Sequence, residues 1–255
     1  MADKDVAPTW FAILKAEHNH IQPYLDEFEL MKDPRLEPLE ANGEKYTKLT
    51  YSVFDRYVDY ERVLHEAVEL IALLTGALRI RQGPGALAIV NVVKVFPDGR
   101  EEKFPPYAQP LRISLDLVGF IGVRKPGIPP RPTIEQYIME HVIRSDDQLV
   151  RDVLHYLSNP PDFFNLYKIL EVISLDLGNG SKPKGFNHIE KRGWATKTEL
   201  DTFKNTADNV HRHWKKNRPA PQMHLQEAVL MSRKIIMGWV VERAAAWTNT
   251  KSGRA

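Results

Sequence analysis

The 255-residue chain is 43% hydrophobic and has no cysteine, so it can build a core without disulfides, and about two domains are expected at this length. The missing thiol excludes a disulfide framework, a zinc ribbon and a cysteine nucleophile, and agrees with a reducing, cytoplasmic setting. The net charge of +2 hides a segregation, because residues 181–255 hold 15 Lys/Arg against 6 Asp/Glu. A basic back and an acidic front point to an anionic partner, nucleic acid first, or to a solvated basic face docking on the protein's own acidic half.

The opening residues carry Asp3, Lys4, Asp5 and Pro8 and match neither an export signal nor a transit peptide. The most apolar run, Ala67 to Leu78, contains Glu69 and falls short of the roughly 20 residues that span a bilayer. No membrane span is expected.

In chain order, Trp10 to Glu17 reads as a short helix, and Pro23, Pro34, Pro38, Asn42 and Gly43 read as a loop that delays the fold proper. Apolar residues at three and four spacing predict a helix over 51–75, with Gly76 as its stop. Leu78–Arg81, Ala88–Phe96 and Lys103–Phe104 read as strands of an antiparallel meander, divided by the turn chemistry of Gly83-Pro84-Gly85 and Pro97-Asp98-Gly99. Leu111 to Val123 supplies one further strand or a bent pair.

Five residues, Pro126, Gly127, Pro129, Pro130 and Pro132, suit neither strand nor helix interior and mark a linker over 126–132. This divides an α+β domain, 1–125, from a helical one, 133–250. Thr133 with Gln136 forms a capping box for a helix to about Arg144. Further helices are predicted over 146–158, over 163–177 with Asp162 as cap, from the Thr196–Glu199 capping box through Val210, and over 225–247. In the last, Ala228, Ile235, Ile236, Trp239 and Val240 point inward, as in a bundle of four or five helices. Ser181 to Gly193 reads as loop with at most a short turn.

Strong catalytic signatures are absent: no phosphate-binding Gly-rich loop ending in Gly-Lys-Ser/Thr, no dinucleotide fingerprint, no zinc-protease helix motif and no nucleophile elbow. No cofactor is implied. The pairs His18/His20 and His211/His213 are poorly placed for one metal, since alternate helical positions point about 200° apart.

Reactive groups concentrate between Phe203 and Lys216. Lys204, Arg212, Lys215 and Lys216 suit a phosphate backbone, Asn205 accompanies them, Trp214 suits a base, and a histidine titrating near neutrality suits proton transfer in phosphodiester cleavage. A basic helix end explains the same cations through the helix dipole.

Leu166-Tyr167-Lys168-Ile169-Leu170-Glu171, Gly193-Trp194-Ala195-Thr196-Lys197, Phe203-Lys204-Asn205-Thr206-Ala207-Asp208, Arg212-His213 and Met223 with Leu225, Glu227 and Ala228 resemble a group of uncharacterised bacterial proteins similar to HEPN domains. The resemblance covers roughly residues 133–248 and implies a helical bundle. Many HEPN domains are metal-independent endoribonucleases that dimerise to unite an Arg and a His. It therefore implies RNA as partner, a homodimer through the helical domain, His213 or His211 as acid/base, and Arg212 or Lys204 beside the charged phosphorane. The alternative is a non-catalytic interaction module, of a bacterial defence or regulatory system, whose antiparallel sheet recognises a protein.

Overall fold

The computed structural model describes residues 8–16, 33–81, 87–106, 147–208 and 222–252. It is an α+β protein with five antiparallel strands and six α-helices among these residues. It divides into two compact units, Met1–Leu78 with Gly83–Gln136 and Arg79–Gln82 with Tyr137–Ala255.

The first unit is built on a sheet of order β2-β3-β1-β4-β5. Its central strand β1, Thr9–Ala16, replaces the helix expected over Trp10 to Glu17. The apolar run from Trp10 to Leu14 is buried at every position, because a central strand hides both faces, and so unbroken a run has neither the helical nor the strand period. Phe11 and Ile13 join Val93 on one face. On the other, the pairings Ala12 with Leu49 and Val92, and Val92 with Phe104, make a row across the sheet.

The expected Pro-rich loop is also corrected, since it holds a hairpin of β2, Arg35–Ala41, and β3, Glu44–Thr50. Asn42 (φ 55°) and Gly43 (φ 75°) are both left-handed, as a two-residue type I′ hairpin requires. Pro38 is tolerated because β2 is the edge strand.

Helix α1 spans Tyr60–Arg81. The expected start at Tyr51 fails because a 3₁₀ turn, Phe54–Arg56, precedes it, and Gly76 lies inside it. Leu78–Arg81, expected as a strand, is its last turn: β-branched content alone did not outweigh continuation of the helical stripe Val63, Ala67, Leu70 and Leu74. Trp10 donates from its backbone N to Asp55 Oδ1 (2.9 Å) and from Nε1 to the Tyr57 carbonyl (3.0 Å). Tyr60 stacks on Phe104 at 4.7 Å. Strands β4, Leu87–Val95, and β5, Glu101–Phe104, fall where two of the meander strands were expected, with Gly99 (φ 83°) in their turn. The strand predicted over 111–123, the linker and the Thr133 helix lie outside the described residues.

The second unit contains α2, Gln148–Ser158; α3, Phe163–Leu177; α4, Lys182–Lys191; α5, Lys197–Ala207; and α6, Leu225–Ser252. Asp162 caps α3 by accepting from Asn165 N at 2.6 Å. Thr196 and Glu199 form the reciprocal capping box of α5. The inward stripe of α6 is buried as predicted. Helix α4 corrects the loop expected over Ser181 to Gly193. Pro183 lies in its first turn, where no intrahelical N–H is needed, and Gly185 serves close packing: a Cβ there would stand 1.8 Å from the Ser174 carbonyl oxygen of α3. Gly185→Ala must therefore push α4 off α3, and we expect a loss of about 3 kcal/mol in chemical denaturation. Gly43→Ala, where no atom lies within 4 Å of the added Cβ, should cost only about 1 kcal/mol of backbone strain.

Candidate nucleic-acid interface

Of the residues assigned to RNA, Lys204 and Asn205 are described, both on α5. Lys204 Nζ pairs with Asp201 Oδ1 at 2.9 Å and lies 4.7 Å from the Phe186 ring centroid, while Asn205 is exposed. Lys204 is therefore held by its own helix and by α4. His211, Arg212, His213, Trp214, Lys215 and Lys216 lie outside the described residues, as do His18 and His20.

Several cations of the helical unit are paired with acids. Lys168 and Lys182 share Glu171. Burial pushes the Glu171 carboxyl up, but the hydrogen bonds and charges of the two lysines outweigh it, so its pKa is lowered. Arg192 Nε reaches both carboxylate oxygens of Glu242, at 2.8 and 2.9 Å. Arg243 bridges Asp147 and Asp176. Residues 147–208 and 222–252 together contain 12 Lys/Arg and 11 Asp/Glu. Residues 209–221, in contrast, contain Arg212, Lys215, Lys216 and Arg218 and no acid. Four of the unit's surplus positive charges are thus compressed into 13 residues.

The flanks of that segment are held together. Thr206, buried near the end of α5, donates from Oγ1 to the Thr202 carbonyl at 2.8 Å and accepts from Met223 N at 3.0 Å. One residue on, His224 N donates to Glu227 Oε2 at 3.1 Å, closing the first turn of α6. The residues on either side of 209–221 are therefore tied at one hydroxyl.

Many other residues of the HEPN-like pattern have roles in packing. Leu166, Ile169 and Leu170 are core. Gly193 (φ 68°) turns the chain after α4. Trp194 seats against Gly238 of α6, whose added Cβ would stand 2.3 Å from the indole. Ala195, Phe203, Ala207 and Ala228 are buried. These positions describe how the bundle closes.

Sequence reasoning missed the Arg243 network. Arg243 Nη2 and Nε donate to Asp147 Oδ2 at 2.7 and 3.1 Å, and Nη1 donates to Asp176 Oδ2 at 2.7 Å. Trp239 Nε1 donates to the same Asp176 oxygen at 2.7 Å. Asp147 also caps α2 by accepting from Val150 N. Partners 67 and 96 positions away leave no local signal. Both carboxylates are occupied by donors within the fold, which suits a tie between helices better than acid/base work. Among the described residues no group of His, Asp or Glu is arranged to hold a metal ion, and no helix is long and apolar enough to cross a membrane.

Comparison with known protein families, curated proteins and solved structures finds no match to this chain.

Thr206→Val keeps the side chain's shape while deleting the acceptor for Met223 N. The clasp should loosen at a cost of about 1–2 kcal/mol, and hydrogen exchange should quicken at Met223 while the core amides of α3 stay protected.

Proposed function

We propose that the helical unit binds single-stranded RNA through residues 209–221, with a HEPN-like bundle as its carrier. The observation that carries this reading is the charge partition. The described residues of the bundle contain cations and acids in nearly equal number, whereas residues 209–221 have four cations, Trp214, His211 and His213 without an acid. Phosphates satisfy such a segment through counterion release, and Trp214 offers a sequence-tolerant stacking face. In this reading Lys204 and Asn205 flank the path on α5. Because Lys204 is engaged by Asp201, its share of phosphate contact is secondary. His211 and His213 supply an acid/base pair for metal-independent cleavage, beside Arg212.

The test is fluorescence anisotropy with a labelled single-stranded RNA across a salt series. Four phosphate contacts predict a log–log slope of about −2.8, and the Arg212→Ala/Lys215→Ala/Lys216→Ala variant should lose about 2 of it. Neutralising Lys184, Lys191 and Lys197 instead should leave the slope nearly unchanged. Equal effects of the two triple variants would refute the localisation. In EDTA, RNA cleavage that disappears in His213→Ala would add catalysis to binding.

A further inference from the structure

The first unit carries a feature that RNA binding does not use. A cleft of about 690 Å³ opens on the sheet face that bears Phe11, lined among the described residues by Phe11, Val95, Thr50, Arg35, Lys48 and Glu101. The register explains the grouping. Arg35, Thr50 and Phe11 stand in one row across β2, β3 and β1. Thr9, Val95 and Glu101 stand in the next across β1, β4 and β5. Directly paired residues share a face, so Phe11 and Val95 make an apolar floor between Arg35 and Lys48 on one side of the cleft lining and Glu101 on the other.

Lys48 and Glu101 carry the charges on which the pairing with a ligand rests. Lys48 is paired in register with Glu37, yet its ammonium sits 4.6 Å from the Phe11 ring centroid and makes no ion pair among the described residues. Glu101 is exposed and makes none either. Two other acids at the cleft are committed to the fold: Asp33 accepts from the backbone N and the hydroxyl of Ser52, and Asp55 accepts from Trp10 N.

We propose that this cleft binds a short extended peptide segment, with a carboxylate on the Lys48 side, an amine on the Glu101 side and an apolar side chain on Phe11 and Val95. A phosphate chain is disfavoured, because Asp33, Asp55 and Glu101 outnumber Arg35 and Lys48 in the lining. A ligand with both signs matches both sides. Strands β3 and β5 are three intervals apart in the sheet, about 14 Å, which about four extended residues span. The hydroxyls of Thr9, Thr50 and Ser52 at the cleft both donate and accept, as peptide groups require.

Calorimetric titration of the full chain with the tetrapeptide Ala-Leu-Leu-Ala tests this, using its free form, its C-terminal amide, its N-acetyl form and the amide of Ala-Leu-Leu-Asp. The free peptide should bind saturably. Amidation should weaken it about fivefold in the wild type and have no effect in Lys48→Gln, and N-acetylation should behave likewise with Glu101→Gln. Lys103→Gln, on β5 but outside the cleft lining, should bind like the wild type. An Asp-ending amide as tight as the free acid would show that the cleft accepts a side-chain carboxylate as well as a chain terminus, and one as weak as the Ala-ending amide that it requires the terminus. Absence of saturable binding by all four peptides, or affinities unchanged in Lys48→Gln and Glu101→Gln with the circular dichroism intact, would overturn the proposal.

Discussion

The helical unit depends on one guanidinium. Arg243 joins the cap of α2 through Asp147 to the end of α3 through Asp176, while Trp239, one turn earlier on α6, donates to the same Asp176 oxygen. Arg suits the place because its planar fork addresses two acids at once. Taking these charges out of water is costly, and the cost is offset only where geometry and hydrogen bonds are complete. The Asp147 side chain is 9% exposed, and that of Arg243 24%. Losing one partner would leave the others desolvated without compensation, so the three helices are fixed in their relative placement by mutual need.

This economy of charge frames the functional reading. Where Glu171, Glu242, Asp147 and Asp176 bind lysines and arginines within the bundle, those cations hold helices together instead of presenting themselves to a polyanion. Lys204 is engaged within α5 itself, by Asp201 one turn earlier. The sequence's surplus of cations over acids is then densest in 209–221, whose flanks meet at Thr206 and Met223. Under the proposed function, folding and RNA binding draw on different cations of the helical unit. The sheet unit does something similar by other means, committing Asp33 and Asp55 to its turns while Lys48 and Glu101 line its cleft.

What was legible in the sequence was local. Asp162 and the Thr196–Glu199 pair announced helix starts because cap chemistry acts over three residues, and the inward stripe of α6 repeats often enough to establish its period. Where the reading failed, distant packing or an ambiguous pattern decided. Trp10 to Leu14 is apolar at every position, and only its place between β3 and β1's other neighbour, β4, makes it a strand. Asn42-Gly43 reads as a breaker although the same pair closes hairpins, and Pro183 and Gly185 mask α4 although one suits a helix start and the other a close helix crossing. The site was legible as charge density over 204–216. That Lys204 is spent on Asp201 needed coordinates, and the Arg243 tie, assembled from partners far apart in the chain, had no sequence signal.

The most direct test of the account is a double-mutant cycle between Arg243 and Asp176, using Arg243→Met, Asp176→Asn and the pair, with stability measured by urea denaturation. If the guanidinium and its acids stand or fall together, the singles should each be destabilised and the double should cost less than their sum, with a coupling of about 2 kcal/mol. Additive losses would show that the helices are placed by apolar packing alone and would contradict the central role given to Arg243.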